Sequence, residues 1–204
     1  TNKTDSGLTI SATNQFNTQS GASDDVSFAI EGGFGKLVFG STDGVAGGYE
    51  MNPLGLIQEE DGGQLNGNTG AAASLDTTAS ISTSTGAGET NGSSKVSYHI
   101  PAGIPGLTAG VSVSTEGSVD GKDDATQFGM NYALDAGGAA VTLGYSSKSK
   151  EVDGAVDQDT TSMGIKIVSG NISFAAATGD YNAADEDRST QSAAVSYTMA
   201  NGIT

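Results

Sequence analysis

Few side chains in this sequence have the chemistry that catalysis requires. His99 is the only histidine, no cysteine occurs, and no serine lies in the G-x-S-x-G motif that exposes a nucleophile. No acidic residue stands at a spacing that would place it beside His99 on an alternating strand. Catalysis needs a base, a nucleophile or a metal together with supporting partners. The sequence therefore predicts no catalytic residues and a protein that is not an enzyme.

Two acidic stretches are the candidates for binding a cation. The first spans residues 58–61 and the second residues 153–159. Carboxylate oxygens are ligands that Ca²⁺ and Mg²⁺ prefer, but neither stretch follows the EF-hand loop pattern. The weak candidate ligands are Asp153, Asp157 and Asp159, and the favoured alternative is a solvated acidic loop. No cofactor is predicted other than Ca²⁺ or Mg²⁺ at such acidic outer loops.

The charge and the cysteine content exclude several classes of protein. The 204 residues include 8 basic and 24 acidic side chains, for a formal net charge of −16, and Arg188 is the single arginine. This charge repels phosphates, so nucleic acid is not an expected partner. The absence of cysteine excludes disulfide frameworks and thiolate metal sites. No apolar run reaches the roughly 18 residues of a membrane helix, although transmembrane β-strands escape that criterion.

Apolar residues recur at every second position in almost every segment, which is the periodicity of β-strands. The pattern predicts about ten strands. The face opposite the apolar one is small, polar and mostly uncharged, as in Thr108, Gly110, Ser112 and Ser114. A soluble sheet normally has charged residues on its solvent face, whereas a membrane barrel combines a lipid-facing apolar side with a polar lumen. The predicted fold is an all-β, antiparallel up-and-down transmembrane β-barrel.

The same alternation predicts the direction of individual side chains. Those predicted to point outward include Met130, Tyr132, Leu143 and Ile165. Those predicted to point into the lumen include Gln127, Asn131, Thr142 and Lys166. In the alternative fold, a soluble β-sandwich, the apolar set would instead form a dry core.

Short and long connections between the strands alternate strictly in the sequence pattern. The long connections span residues 18–25, 43–94, 116–125, 150–159 and 180–190. They contain all 24 acidic residues except Asp5, Glu31 and Asp135. In an up-and-down sheet every second connection lies on the same side, so one end is predicted to have tight turns and the other acidic loops. The alternative is that acidic residues merely favour loops.

The connection over residues 43–94 is unusually long, and such loops are usually functional or disordered. Its first half contains apolar residues over 49–57 and is predicted to be ordered. Residues 71–90 are a low-complexity run of Ala, Ser, Thr and Gly. Disorder of the whole connection is the alternative.

Several motifs resemble those of a known family. They are DSGLTI at residues 5–10, DVSFAIEGGFGKLVFGSTDG at 25–44, KVSYHIP at 95–101 and GLTAGVSVS at 106–114. These runs are similar to hairpins of general trimeric porins of the alphaproteobacterial type. The resemblance implies a homotrimer in the outer membrane of a Gram-negative bacterium, in contact with lipid and lipopolysaccharide. It implies barrels of about 16 strands, so residues 1–204 would be a single porin domain that is incomplete at both ends.

The resemblance also implies a function and candidate site residues. In this family the longest loop folds into the barrel and narrows a passive channel for ions and small hydrophilic solutes, which makes residues 43–94 the candidate constriction loop. Loop acids would oppose basic residues on the wall. The candidates on the loop are Glu50, Glu59, Glu60 and Asp61, and those on the wall are Lys36, Lys95, His99 and Lys166, with Arg188 expected in an outer loop.

The sign of the charge suggests a preference among solutes. An acidic pore mouth raises the local concentration of cations, so the sequence predicts a cation-preferring channel. Each wall lysine has an alternative interpretation as an isolated solubilising side chain. The alternative for the whole protein is a secreted or surface-layer adhesin module, an acidic β-sandwich with a capacity to bind Ca²⁺.

Overall fold

The computed structural model describes residues 1–5, 7–16, 23–42, 44–49, 51, 53, 94–118, 121–151, 157–183 and 186–199. These residues form one sheet of eleven antiparallel strands in sequential order, with β1 and β11 at its edges. The strands are β1 (Asn2–Lys3), β2 (Thr9–Phe16), β3 (Ser23–Gly32), β4 (Gly35–Ser41), β5 (Ser94–His99), β6 (Leu107–Ser118), β7 (Gly121–Asp135), β8 (Ala140–Glu151), β9 (Gln158–Ser169), β10 (Ile172–Ala183) and β11 (Glu186–Tyr197). A single short helix, α1 (Val45–Tyr49), lies between β4 and β5 in this part of the chain.

The all-β prediction is confirmed, and the ten predicted strands correspond to β2 through β11. The additional strand, β1, contains only two residues, which are too few to show a period of two. Within the described ranges, no helix has the length and apolar character needed to cross a membrane.

The two faces of the sheet differ in the way that the alternation predicts. One face is called here the inner face, because α1 packs on it. Its buried side chains are mainly small or polar, as in Ser97, Ser112 and Ser146. The outer face exposes large apolar side chains, including Leu143 at 44% and Val195 at 62%.

This distribution is the reverse of a soluble sheet, in which the apolar face is buried. A β-sandwich would bury Phe128 and Tyr132 in a dry core, yet each is 38% exposed. The buried apolar side chains of the described residues are instead small ones, chiefly alanines on the inner face. The sandwich alternative is therefore not favoured.

Tight turns join the strands at one end of the sheet. Between β3 and β4 the turn closes on Gly35, which has a φ of 108° and lies against the carbonyl oxygen of His99. Any side chain at this position would overlap that oxygen, so the turn requires glycine. Between β7 and β8 the Asp135 carboxylate accepts a hydrogen bond from the Gly138 N–H at 3.0 Å.

At the other end, the predicted strict alternation of short with long connections is wrong. Only two residues separate β6 from β7, and only two separate β10 from β11. Much of the sequence assigned to loops over 116–125, 150–159 and 180–190 lies in strands. These extensions are polar on both faces, so they lack the alternation of apolar and polar residues even though backbone pairing continues.

Candidate functional site

The helix α1 begins the long connection after β4 and is bonded to the inner face of β6 and β7. The Val45 N–H donates to Ser112 Oγ at 3.1 Å, and the Ala46 N–H donates to Gln127 Oε1 at 3.0 Å. The first N–H groups of a helix have no partner within the helix, so side chains from elsewhere must satisfy them. Here two strands of the wall supply those acceptors, and they hold the start of the connection against the sheet.

Glycines on the inner face make room for this segment. A Cβ at Gly129 would lie 2.5 Å from Tyr49 Cδ2, and a Cβ at Gly164 would lie 2.6 Å from Met51 Cβ. Real Cβ atoms do not approach other atoms so closely, because the repulsion is too strong. Glycine inside a strand commonly marks such a close approach of another segment.

Tyr49 connects the end of α1 to two strands. Its hydroxyl lies 3.3 Å from His99 Nδ1, at the end of β5. With its amide oriented so that the nitrogen faces the carbonyl, Asn131 of β7 donates to the Tyr49 carbonyl oxygen at 3.3 Å. Burial raises the pKa of the Tyr49 phenol above its usual value of 10.0, so the hydroxyl keeps its proton at neutral pH.

The wall residues predicted from the sequence all lie on the inner face, but they do not form one cluster. Lys36 of β4 lies opposite His99 of β5 in the register, and Glu31 of β3 lies opposite Lys36. Lys95 is buried farther along β5. Lys166 lies on β9, between Thr142 and Ala175 of the neighbouring strands.

Most of the residues predicted for the constriction loop and for a metal site cannot be placed on the wall in the same way. Glu50, Glu59, Glu60, Asp61 and Asp153 lie outside the described residues. Asp157 and Asp159 are exposed, just before and within β9. Over the described ranges, no three His, Cys, Asp or Glu side chains come together as a metal site. The constriction and metal roles of these residues stay predictions.

Comparison with protein families agrees with this geometry. The family model for Gram-negative porins matches residues 1–204, the entire chain. The chain belongs to the Gram-negative porin family. This porin is accordingly a protein of the outer membrane, while its alphaproteobacterial type stays a prediction.

Among solved structures, the porin is similar to OmpTdeltaL8, a loop L8 deletion mutant of OmpT, an outer membrane protein of Vibrio cholerae. The two share 14% sequence identity, the match covers 88% of this chain and 70% of that one, and the TM-score is 0.43. Among curated proteins, none matches the chain.

The porin wall contains basic residues that the sequence interpretation missed. Lys148 and Lys150 share the inner face of β8 with the buried Gly144 and Ser146, because all four are an even number of residues apart. The period of two was sufficient to find them, but the sequence pattern predicts a loop from residue 150 onward and assigns Lys148 no role. Arg188 does not lie in an outer loop: it is on β11, with its guanidinium 5.7 Å from the ring centroid of Tyr181.

Among the side chains that the structure describes, most charges of opposite sign lie on opposite faces of the sheet. Every basic residue whose side chain the structure describes lies on the inner face: Lys3, Lys36, Lys95, Lys148, Lys150, Lys166 and Arg188. Acidic residues on the outer face cluster toward the end opposite the tight turns: Asp124, Glu151, Asp159, Asp180 and Asp187. Among the acidic side chains that the structure describes in the strands, Glu31 and Asp135 lie on the inner face.

Proposed function

We propose that this porin is a passive diffusion channel for ions and small hydrophilic solutes, and that the segment containing α1 narrows it. The observation that supports this function best is the bonding of α1 to a polar wall, through Ser112 and Gln127. A water-filled lumen tolerates serine, threonine and glycine, whereas the apolar outer face suits lipid. Diffusion through such a channel needs no catalytic group, and selectivity follows from the width and charge of the lumen.

The exposed apolar outer face supports two further parts of the proposal. Side chains such as Met163 and Val195 need lipid or another subunit against them. We therefore propose a homotrimer whose remaining outer surface contacts lipid and lipopolysaccharide. For any bound Ca²⁺ or Mg²⁺ we propose a role at the acidic loop end. There the cation would reduce the repulsion between the carboxylates of the protein and the anionic lipid headgroups.

The predicted cation preference gains no support from the described wall. That prediction depended on acids at the pore mouth and on Glu50, Glu59, Glu60 and Asp61, which lie outside the described residues. Near the loop end, the acidic side chains that the structure describes are mostly on the outer face, whereas the described basic side chains are on the inner face.

Planar-bilayer recording tests the channel function. The protein, isolated in detergent from outer membranes, is expected to insert in discrete conductance steps with a linear relation of current to voltage. Vesicles containing it are expected to swell in small neutral sugars and to exclude large ones. Folded, inserted protein that conducts no ions and passes no sugar would contradict the proposal, and heat-denatured protein is the control.

A further inference from the structure

We propose that a groove on the outer face of β9, β10 and β11 binds one acyl chain of a phospholipid whose head group carries a primary ammonium group. Phosphatidylethanolamine has this chemistry. The inference rests on the proposed contact of the outer face with lipid, and it adds the position of the contact and the head group that fits it. It does not depend on whether the channel conducts.

The groove exists because two alanines lie opposite each other where the neighbouring outward side chains are large. Ala176 of β10 pairs with Ala193 of β11 on one side and with Ile165 of β9 on the other. Toward the tight turns, Phe174 and Val195 form the next outward pair. The groove has a volume of about 740 Å³, and sites for small ligands usually measure about 300–1,000 Å³.

The groove lies at the level of the acyl chains of a membrane. The strands β9, β10 and β11 contain 12 residues each, and a tilted strand of about 9–11 residues crosses the hydrocarbon core. Ala176 and Ala193 lie in the middle of their strands, and the exposed apolar side chains of Leu143 and Met163 line the groove beside them. The surroundings of the groove are therefore hydrocarbon, and an acyl chain is the part of a lipid that fits there.

Two polar side chains line the groove on the side of the loop end. The Thr178 hydroxyl donates to the Thr190 carbonyl oxygen at 3.1 Å. Water does not reach polar groups in hydrocarbon, so they need internal partners of this kind. Gln191 lies opposite Thr178 in the register and is exposed. Its amide can donate to the ester group that joins an acyl chain to the head group.

Charges beyond the groove favour one kind of head group. Asp180 lies two residues beyond Thr178 on the same face of β10, about 7 Å along the strand. Asp187 lies four residues beyond Gln191 on the same face of β11. At the outward positions of the described strands β9, β10 and β11, no residue is basic. A primary ammonium group donates hydrogen bonds to carboxylates, whereas a trimethylated ammonium has no hydrogen to donate and an anionic head group is repelled.

A second copy of the chain is less suited to this surface than a lipid. The charged residues at its own outward strand positions near the loop end are mostly acidic, and they include Asp124 and Glu151. Two such faces would bring like charges together, which disfavours association. The outer face of β9, β10 and β11 is accordingly assigned to lipid, and the trimer contact to another part of the outer surface.

Retention of lipid by the folded protein tests the inference. The protein in a non-ionic detergent with a chelator is mixed with phosphatidylethanolamine, phosphatidylcholine and phosphatidylglycerol that have the same acyl chains. Native mass spectrometry then measures the affinity for each lipid, and phosphatidylethanolamine is expected to bind most tightly. Ala193→Leu fills the groove and is expected to weaken this binding about fourfold, which is the effect of one methylene group of the chain leaving the groove.

Ala109→Leu is the matched control for the groove. Ala109 is an outward alanine of β6, opposite Met130 of β7, and it lies away from the groove. The same enlargement there is expected to leave lipid binding unchanged. If Ala193→Leu does not fold, Ala176→Leu tests the same groove with the same expected decrease.

The head group is tested with isosteric changes of the two carboxylates. Asp180→Asn combined with Asp187→Asn is expected to weaken the binding of phosphatidylethanolamine about threefold, which is typical of exposed charge pairs. Phosphatidylethanolamine and phosphatidylcholine should then bind equally. Asp124→Asn changes an acid on the same face three strands away from β10, and it is expected to have no effect.

Several results would overturn the inference. They are equal binding of the three phospholipids by the wild type, binding that Ala193→Leu leaves unchanged, and a preference for phosphatidylethanolamine that the paired aspartate variant keeps. An oligomer that Ala193→Leu separates into single chains, while Ala109→Leu does not, would show that a second copy covers the groove. Planar-bilayer recording of the same preparations keeps the channel function separate. A conducting protein without selective lipid binding overturns the inference alone, and a folded protein that binds the lipid without conducting overturns the channel function alone.

Discussion

Replacing Gly129 by alanine should loosen the segment containing α1 without disturbing the sheet. The added Cβ would lie 2.5 Å from Tyr49 Cδ2. It would also lie 2.7 Å from Tyr49 Cβ, so the ring and the end of α1 must both move by about 1 Å to reach an ordinary van der Waals separation. The Tyr49 hydroxyl is 3.3 Å from His99 Nδ1, so a shift of that size takes it beyond hydrogen-bonding range. The backbone pairing of Gly129 with β6 and β8 stays intact, because the new methyl group points into the lumen.

The magnitude follows from the one lost contact. A hydrogen bond of this kind contributes about 0.5–1.5 kcal/mol, so conformations with α1 displaced should become about twofold to tenfold more populated. The contacts of Val45 with Ser112 and of Ala46 with Gln127 remain and limit the displacement. Single-channel recording is the assay, and the expected result is a greater occupancy of a second conductance level.

Two comparisons separate this effect from a general loss of folding. Gly33→Ala adds a methyl group where no atom lies within 4 Å, and it should behave as the wild type. Tyr49→Gly removes the whole side chain, including the Cβ that would lie 2.7 Å from the added methyl group, so in that background Gly129→Ala should add nothing further. A Gly129→Ala channel identical to the wild type, or an undiminished effect in the Tyr49→Gly background, would refute the proposed contact.

Three other perturbations have definite expected outcomes. Leu143→Arg places a charge on the apolar outer face and should lower the free energy of unfolding by about 2–4 kcal/mol, measured by refolding titrations with lipid vesicles. Thr142→Arg on the inner face should fold normally and change the conductance. If Thr142→Arg is the more destabilising of the two, the faces are inverted. Ser112→Ala removes the acceptor of the Val45 N–H and should destabilise the docked position of α1 by about 0.5–2 kcal/mol. The expected observation is more frequent switching between conductance levels. Unchanged switching would show that this hydrogen bond does not hold the segment. Burial disfavours the phenolate of Tyr49 and raises its pKa, so the part of the ultraviolet phenolate absorbance that Tyr49→Phe removes should appear only above pH 10.0; its appearance below that pH would contradict the burial of the hydroxyl.

The faces of the strands could be predicted from the sequence because side-chain direction in a strand is a local property of the backbone. Successive residues point to opposite sides, so the alternation of Leu143 with Thr142 determines which faces outward once one side is apolar. The same rule places Lys148 on the inner face. The small, mostly uncharged polar face opposite the apolar one favoured a membrane barrel, and the exposure of Phe128 and Tyr132 in the structure then disfavoured the soluble sandwich that had stayed the alternative.

The position of α1 was decided only by the tertiary structure. Its contacts join Val45 to Ser112 and Ala46 to Gln127, residues that are 67 and 81 positions apart. Tyr49 fits against the wall because Gly129 has no side chain there. In the sequence, such a glycine cannot be distinguished from one that only weakens a strand. Strand pattern depends on neighbouring residues, whereas the fit of a connecting segment against the wall depends on the shapes of surfaces that are brought together only when the sheet forms.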